Sequence, residues 1–400
     1  MGVLVESLTH LGMGRTADGA FLPRVLPGEV VEPLPDGTAR VLTPSPDRVA
    51  APCRHFKTCG GCAMQHARDS LVADWKLGIV QRALAAHGLS PDFRPVHTSP
   101  PQSRRRAKLG GKRTKSGAMV GFHAARSDTL IAVPDCQLLT PALMALFPAL
   151  EALTVIAASR KAEIALTVTD SRAGPDILIQ TAVPLTEELR VAVAALAQQH
   201  GLARVTWGDE PVVTLHPPEQ SFGTARVVPP PGAFLQATRD GEAALLSSVT
   251  EALGDAARIA DLFAGAGTFT LPLAARAEVH AVEGEAAMLA ALDRGWRMAT
   301  GLKRVTTETR DLFRRPLELD ELNRFDAVVI DPPRAGAEAQ VATLAASAIP
   351  RVAMVSCNPV TFARDAATLA GAGYTLDWVQ VVDQFRWSPH VEMAAQFTRA

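Results

Sequence analysis

The chain has 400 residues, 48% of them hydrophobic and 20% charged, and its formal net charge at pH 7 is −1. This composition is typical of a globular protein with a sizeable core and excludes a disordered chain, and the length predicts two or three domains. No stretch is long and apolar enough to span a bilayer, and the first residues lack the pattern of a secretory signal, so we expect a cytoplasmic protein.

Residues 1–50 predict a short region of β structure. V-L-V-E-S-L at 3–8 includes alternating apolar residues, glycines punctuate the residues that follow, and P-D-G-T at 35–38 is typical of a hairpin turn. T-P-S-P-D at 43–47 has the composition of a linker. We therefore place the first boundary at residue 50.

Residues 51–93 combine a cysteine-rich knuckle with a segment of helical periodicity that starts at Met64. Cys53, Cys59 and Cys62 have the spacing C-x5-C-x2-C, and Cys136 is available as a fourth thiolate. Four thiolates suit either zinc or a [4Fe–4S] cluster, and the spacing modestly favours the cluster. The odd number of cysteines and the absence of a secretory signal argue against a disulfide framework.

Residues 94–232 mix strand and helix patterns and predict a central α+β domain. Its most unusual feature is a run of seven cations without an acid, at positions 104, 105, 106, 108, 112, 113 and 115. Such a run is either a solvated segment that protects an edge strand or a ribbon that contacts phosphates. The rest of the chain favours the ribbon.

Residues 233–400 alternate regularly between strand and helix, which predicts a doubly wound parallel sheet with ligands at the carboxyl ends of its strands. D-L-F-A-G-A-G-T at 261–268 is a glycine turn between a strand and a helix, and Glu283 ends the next strand. A carboxylate there can bind ribose hydroxyls. The glycine turn lacks the full dinucleotide-binding pattern, so the turn and Glu283 together fit S-adenosylmethionine better than NAD.

Three further segments carry candidate chemistry. D-P-P-R at 331–334 forms a rigid strand end, and Arg334 replaces the aromatic residue expected for amino-methylation. Cys357, in S-C-N-P, is either a small core residue or, at the polar end of an apolar strand, a nucleophile. Glu392, in H-V-E, is a solvated acid unless the fold returns it to the pocket.

These motifs, in this order, resemble those of the bacterial RNA uracil-5-methyltransferases, and most closely the iron–sulfur branch that acts on 23S ribosomal RNA. The resemblance covers nearly the whole chain. It rests on C-R-H-F-K-T-C-G-G-C with Cys136, F-L-Q-A-T, D-L-F-A-G-A-G-T-F-T, V-E-G, D-P-P-R-A-G, S-C-N-P and H-V-E.

The resemblance implies a Rossmann-like α/β methyltransferase domain after a TRAM-like β region and an α+β domain. It implies that Cys357 adds to C6 of uracil and that Glu392 removes the C5 proton. S-adenosylmethionine would contact Gln236, Phe263, Thr268, Glu283, Asp311 and Asp331. A [4Fe–4S] cluster would be held by Cys53, Cys59, Cys62 and Cys136.

The partner implied by the resemblance is RNA, presented as a flipped-out uridine in a 23S rRNA loop. No protein partner is required, and a monomer is expected. Two alternatives stay open, namely a methyltransferase for the T loop of tRNA and an iron–sulfur RNA-binding protein without catalysis.

Overall fold

The N-terminal segment forms a sheet of five short antiparallel strands. The computed structural model describes residues 2–399, and its first strands are β1 (Val3–Leu8), β2 (Met13–Thr16), β3 (Phe21–Pro23), β4 (Val30–Pro33) and β5 (Ala39–Thr43). They lie in the order β3-β2-β1-β4-β5 around a small core of valine and leucine side chains. The predicted N-terminal β region is therefore confirmed.

The cysteine-containing segment is irregular and leads into a single long helix. Residues 51–68 form turns and isolated bridges, and α1 (Asp69–Ala85) follows. The predicted start of this helix at Met64 was wrong, because Arg68 N–H, which a helix from Met64 would bond to the Met64 carbonyl, bonds to the carbonyl of Asp47 instead. Two short strands, β6 (Asp92–Phe93) and β7 (His97–Thr98), come next.

A seven-stranded sheet forms the middle of the chain. Its strands are β8 (Arg106–Arg113), β9 (Ala118–His123), β10 (Leu130–Ala132), β11 (Ile164–Thr169), β12 (Asp176–Gln180), β13 (Arg204–Trp207) and β14 (Glu210–Thr214), in the order β10-β9-β8-β11-β12-β13-β14. Its helices are α2 (Pro141–Met144), α3 (Phe147–Ala157) and α4 (Glu187–His200). All pairs are antiparallel except β12 with β13, which α4 connects. Helix α3 packs on β8 and β9, and α4 packs on β13 and β14.

The C-terminal part begins with a hairpin and continues as an alternating series of helices and strands. The hairpin consists of β15 (Gln220–Phe222) and β16 (Ala225–Val227). The series is α5 (Arg239–Leu253), β17 (Arg258–Leu262), α6 (Thr270–Leu273), β18 (Glu278–Glu283), α7 (Ala286–Met298), β19 (Val305–Thr309), α8 (Leu319–Leu322), β20 (Ala327–Ile330), α9 (Glu338–Ala346), β21 (Arg351–Ser356), α10 (Pro359–Gly371), β22 (Thr375–Asp383) and β23 (Glu392–Thr398).

These strands build a mixed sheet in the order β19-β18-β17-β20-β21-β23-β22-β6, and β7 also pairs with β22. Strands β17 to β21 are parallel, and β23 runs antiparallel between β21 and β22. Helices α5 and α7 contribute to the core on one face, and α1, α9 and α10 to the core on the other. The predicted doubly wound sheet is confirmed.

Helix α1 connects the cysteine-containing segment to the C-terminal sheet. The side chain of Lys76 is fully buried and forms an ion pair with the equally buried carboxylate of Asp383, at the end of β22. Together with β6 and β7, α1 therefore packs with the sheet of the C-terminal part. The predicted domain boundaries at residues 50, 93 and 232 stay predictions. None of the helices in residues 2–399 has both the length and the apolar character needed to cross a membrane.

Candidate active site

A cavity of about 670 Å³ opens at the edge where the parallel strands of the C-terminal sheet end. Its size lies within the roughly 300–1,000 Å³ of typical small-molecule sites. All eight catalytic and donor-binding candidates line this one cavity, namely Gln236, Phe263, Thr268, Glu283, Asp311, Asp331, Cys357 and Glu392. The structure thus brings together residues that are up to 156 positions apart (392 − 236) in the sequence.

Glu283 is held in the cavity wall by backbone groups on both sides. Its Oε2 accepts a hydrogen bond of 3.0 Å from Gly265 N–H, in the glycine turn, and its Oε1 accepts one of 3.0 Å from Glu285 N–H. The turn itself begins with Phe263, which has a left-handed φ of 62°. Such backbone strain in a residue other than glycine is concentrated at functional sites. The carboxylate is fixed in place with acceptor capacity left for a ligand.

Two aromatic rings form an apolar corner of the cavity. The rings of Phe263 and Phe313 are tilted by 57°, with their centroids 5.5 Å apart, and Phe313 is 48% exposed. Asp311 positions Phe313, because its Oδ1 accepts a hydrogen bond of 3.0 Å from Phe313 N–H. Phe313 was not predicted from the sequence, although the D-L-F tripeptide at 311–313 closely follows the strand β19.

Cys357 and Glu392 lie next to each other across the sheet. Strand β21 ends at Ser356, which pairs with Met393 of the antiparallel strand β23. Because the two strands run in opposite directions, the residue after Ser356, Cys357, lies opposite the residue before Met393, Glu392. After Cys357 the chain turns at once, because the Asn358 side chain caps α10 by accepting a hydrogen bond from Val360 N–H. The antiparallel return of the last strand therefore places a carboxylate beside the thiol.

Asp331 and Glu392 lie together in the cavity, and Asp261 lies behind them, fully buried. Burial raises the pKa of Glu392 to about 7. It also raises the pKa of Asp331 well above its usual range, and the charges of Glu392 and Asp261 add to that increase. Asp331 keeps some exposure to the cavity, although protein surrounds it closely. A cavity with this charge pattern favours a cationic ligand, because a positive charge would stabilise the ionised carboxylates.

The thiol of Cys357 is held mainly in its protonated form. Burial, followed by the charges of Glu392 and Asp331, raises its pKa to about 11, whereas Arg334 acts in the opposite direction by its charge and a side-chain hydrogen bond. The guanidinium of Arg334 also lies 2.9 Å from Nδ1 of His390. Arg334 thus favours the thiolate.

The four remaining cysteines line a second, small cavity. Cys53, Cys59, Cys62 and Cys136 are all free thiols and share this cavity with Phe56 and Phe122. Two backbone N–H groups point at sulfur, with Gly61 N 3.4 Å from Sγ of Cys59 and Leu138 N 3.5 Å from Sγ of Cys136. Across residues 2–399, no three cysteine, histidine or carboxylate groups are arranged so that they could hold a metal ion.

The seven cations at 104–115 divide into two structural groups. Arg105 is buried against Glu242, and Arg106 donates to the carbonyl of Gly232, so these side chains join the central sheet to the C-terminal part. Arg104 is largely buried near the thiols of Cys62 and Cys136. The exposed cations are Lys108, Lys112, Arg113 and Lys115. The prediction that all seven cations form one phosphate-contacting ribbon is therefore wrong, because Arg104, Arg105 and Arg106 make contacts inside the protein.

Comparisons with known proteins agree with this geometry. Residues 230–400 match the family described as tRNA (uracil-5-)-methyltransferase. An uncharacterised RNA methyltransferase of Mesorhizobium japonicum is 44% identical over 391 residues, covering 96% of this chain and 94% of its own length. The 23S rRNA (uracil(1939)-C(5))-methyltransferase RlmD of Aromatoleum aromaticum is 32% identical, and 99% of each chain is covered.

The fold has a solved counterpart over its full length. The Pyrococcus abyssi tRNA (uracil-54, C5)-methyltransferase, crystallised with S-adenosyl-L-homocysteine, superposes with a TM-score of 0.75. That comparison covers 100% of this chain and 99% of the other at 20% sequence identity, so it establishes the fold. From the sequence relatives and the family match together, the chain belongs to the S-adenosylmethionine-dependent RNA uracil-5-methyltransferase family.

Proposed function

We propose that this enzyme methylates C5 of a uridine in 23S rRNA through a covalent bond between Cys357 and C6 of the base. The observation that carries the proposal is the placement of Cys357, directly after β21, beside Glu392, the first residue of β23, with both residues lining one cavity. The 23S rRNA substrate is supported by the full-length similarity to RlmD, the enzyme named for that RNA.

The chemistry requires a nucleophile because C5 of uracil is too weakly nucleophilic to accept a methyl group directly. The Cys357 sulfur bonds to C6 and the electron pair of the C5–C6 double bond moves toward O4, which makes C5 nucleophilic. The thiol proton leaves to solvent, and Arg334 stabilises the thiolate. S-adenosylmethionine supplies the methyl group, which bonds to C5 as its bond to sulfur breaks.

Glu392 completes the reaction as a general base. After methyl transfer, C5 carries both a proton and the new methyl group. The Glu392 carboxylate takes that proton, the C–H electrons restore the C5–C6 double bond, and the bond from C6 to Cys357 breaks. A base with a pKa of about 7 is well matched to this step at neutral pH.

The donor-binding roles follow the geometry of the cavity wall. The Glu283 carboxylate is fixed by Gly265 and Glu285 so that it can accept hydrogen bonds from ribose hydroxyls. Phe263 and Phe313 offer apolar surface for an adenine. Asp331 would lie near the sulfonium, where a cation compensates for the burial of an acid. Gln236, Thr268 and Asp311 complete the wall.

Two features of the surface suit a structured RNA. The target uridine must leave its stack to reach Cys357, which lies inside the cavity. Lys108, Lys112, Arg113 and Lys115 lie on or directly after β8 and are exposed, so they are available for phosphates that flank the target.

We also propose that Cys53, Cys59, Cys62 and Cys136 hold a [4Fe–4S] cluster. The donor set fits, since four free thiols share one cavity and backbone N–H groups point at two of the sulfurs. Four thiolates suit either zinc or a [4Fe–4S] cluster, and the C-x5-C-x2-C spacing favours the cluster. Iron and sulfide content together with visible absorbance would test this, and a colourless zinc protein would reject it.

The substrate is tested by mapping 5-methyluridine in rRNA and tRNA from cells with and without the gene. Loss of one or more 5-methyluridines from 23S rRNA, restored by the wild-type protein and not by Cys357→Ala, is expected. Loss from the T loop of tRNA would instead support the tRNA alternative. S-adenosylmethionine binding without any change in either RNA would support a catalytically silent RNA-binding protein.

A further inference from the structure

The side chain of Gln384 lies between the proposed base and the proposed donor pocket. It is 2% exposed, and its Nε2 donates to Oε2 of Glu392 at 3.1 Å and to Oε1 of Gln236 at 2.5 Å. Its own Oε1 accepts a hydrogen bond of 2.7 Å from Ala237 N–H. One amide therefore uses both of its protons to hold two groups that line the active-site cavity.

Gln384 is itself held in place from several sides. It directly follows Asp383, whose carboxylate is paired with the buried Lys76. Three residues later, the carbonyl of Trp387 accepts hydrogen bonds from the N–H groups of Ala63 and Met64 at 2.7 and 3.0 Å. The connection between β22 and β23 is thus pinned to α1 and to the segment that follows Cys62. The Gln384 amide has little freedom to turn away from its partners.

From this geometry we propose that Gln384 is a positioning residue that aims the Glu392 carboxylate at the C5 proton and orients the Gln236 amide toward the ligands. The proposal rests on the function proposed above. Since Oε2 of Glu392 is engaged by Gln384, its Oε1 is the oxygen left to take the proton. Since Oε1 of Gln236 is engaged as well, Gln236 presents its NH₂ group, a donor, to the cavity.

The test compares two substitutions with a matched control. Gln384→Met keeps the length of the side chain and removes both donated protons. Gln384→Glu keeps its shape and an acceptor for Ala237 N–H, so it serves if the methionine variant does not fold. The control is Gln380→Met on the same strand pair, where the amide donates to the carbonyl of Pro95 and lies outside the cavity. Glu392→Gln and Cys357→Ala provide reference behaviour for the base and the nucleophile.

Each variant is incubated with uridine-containing 23S rRNA fragments and methyl-labelled S-adenosylmethionine, and the products are separated on a denaturing gel. For both Gln384 variants we expect kcat to fall roughly ten- to a hundredfold, as for the loss of a hydrogen bond to a charged group. We also expect a methyl-labelled RNA–protein band to accumulate, because a badly aimed base releases the adduct slowly. Gln384→Glu should in addition move the pH optimum upward, since a second carboxyl raises the pKa of Glu392.

The accumulated band is the readout that a merely structural role would not produce. Turnover and band intensity equal to those of Gln380→Met would overturn the positioning role, even if Glu392→Gln accumulates adduct and so supports the proposed function. If Glu392→Gln turns over normally without any adduct, Glu392 is not the base, and both proposals are wrong. A slowed Gln384 variant without adduct would also overturn the positioning role.

Discussion

The carboxyl groups of Asp331 and Glu392 lie in the same cavity, and the charge of Glu392 helps to raise the pKa of Asp331. Glu392 is itself buried, with 3% of its surface exposed, and burial raises its pKa to about 7. Ionising both carboxyl groups in one buried cavity costs more free energy than ionising either one alone. Their protonation therefore depends on what else enters the cavity.

We predict that binding of S-adenosylmethionine near pH 7 releases protons. The sulfonium cation lowers the pKa values of Glu392 and Asp331, so carboxyls that were partly protonated in the free enzyme become ionised. Isothermal titration calorimetry in buffers of different ionisation enthalpy would measure this release. S-adenosylhomocysteine, which lacks the sulfonium charge, is the control and should release fewer protons. Equal release with both ligands would contradict the expectation.

We predict that Glu392→Gln stabilises the protein at pH 8 and not at pH 4. The folded-state pKa of Glu392 is raised above the ordinary value of 4.5 to about 7, so stability that depends on the neutral carboxyl is present below pH 4.5 and lost as pH rises through 7. Glutamine stays neutral, and the gain in unfolding free energy at pH 8 is up to about 3 kcal/mol.

Urea unfolding of both proteins at pH 4, 6 and 8 would measure this difference. Glu6→Gln, at an exposed position of β1, is the matched control for the removal of one carboxylate. A gain for Glu392→Gln that is the same at all three pH values would argue against a raised pKa.

We predict that Phe313→Ala weakens binding of S-adenosylmethionine about tenfold. The substitution removes one ring of the pair with Phe263, and aromatic contacts of this kind contribute about 0.5–1.5 kcal/mol beyond the area that they bury. Equilibrium dialysis with labelled donor would measure the affinity. Leu319→Ala, at a residue that is 41% exposed and outside the cavity, provides the control. Unchanged donor affinity in Phe313→Ala would exclude the ring from the donor site.

We predict that replacing Lys112, Arg113 and Lys115 by alanine weakens RNA binding and reduces its dependence on salt. Each lost phosphate contact lowers the slope of log K against log salt by roughly 0.7–0.9. Filter binding at several salt concentrations would measure both quantities. Lys303→Ala with Arg304→Ala, two exposed cations directly before β19 and so at the opposite edge of the C-terminal sheet from the cavity, controls for nonspecific charge. Equal effects in the two variants would mean that the strand β8 cations have no special role.

The sequence was sufficient to predict the C-terminal sheet, because its strands are apolar runs that alternate with helical patterns. It was also sufficient to select the residues that the cavity brings together. Glu392 shows the limit of sequence patterns alone. Glu392 lies next to Cys357 because β23 returns antiparallel beside β21. Its role was predicted from the family resemblance of the H-V-E motif and not from the periodicity of the sequence.

Residues that act through long-range contacts could not be predicted in the same way. Arg105 resembles its neighbours in a basic run, yet it is buried against Glu242 in the first turn of α5 and bonds to the carbonyls of Gln236 and Ala237. Gln384 carries no motif, and its importance comes from two partners that lie 148 and 8 residues away in the chain. The late start of α1 likewise depends on a partner outside the helix, because Arg68 N–H donates to the carbonyl of Asp47 and not to that of Met64.

The most direct test of the account is covalent trapping with RNA that contains 5-fluorouridine at the target position. Fluorine at C5 cannot be removed as a proton, so the methylated adduct should persist and survive denaturation. Mass spectrometry of the digested complex should find the methylated fluorouridine attached to the peptide that contains Cys357. Failure to form any adduct, or an adduct that forms equally well with Cys357→Ala, would contradict the proposed mechanism.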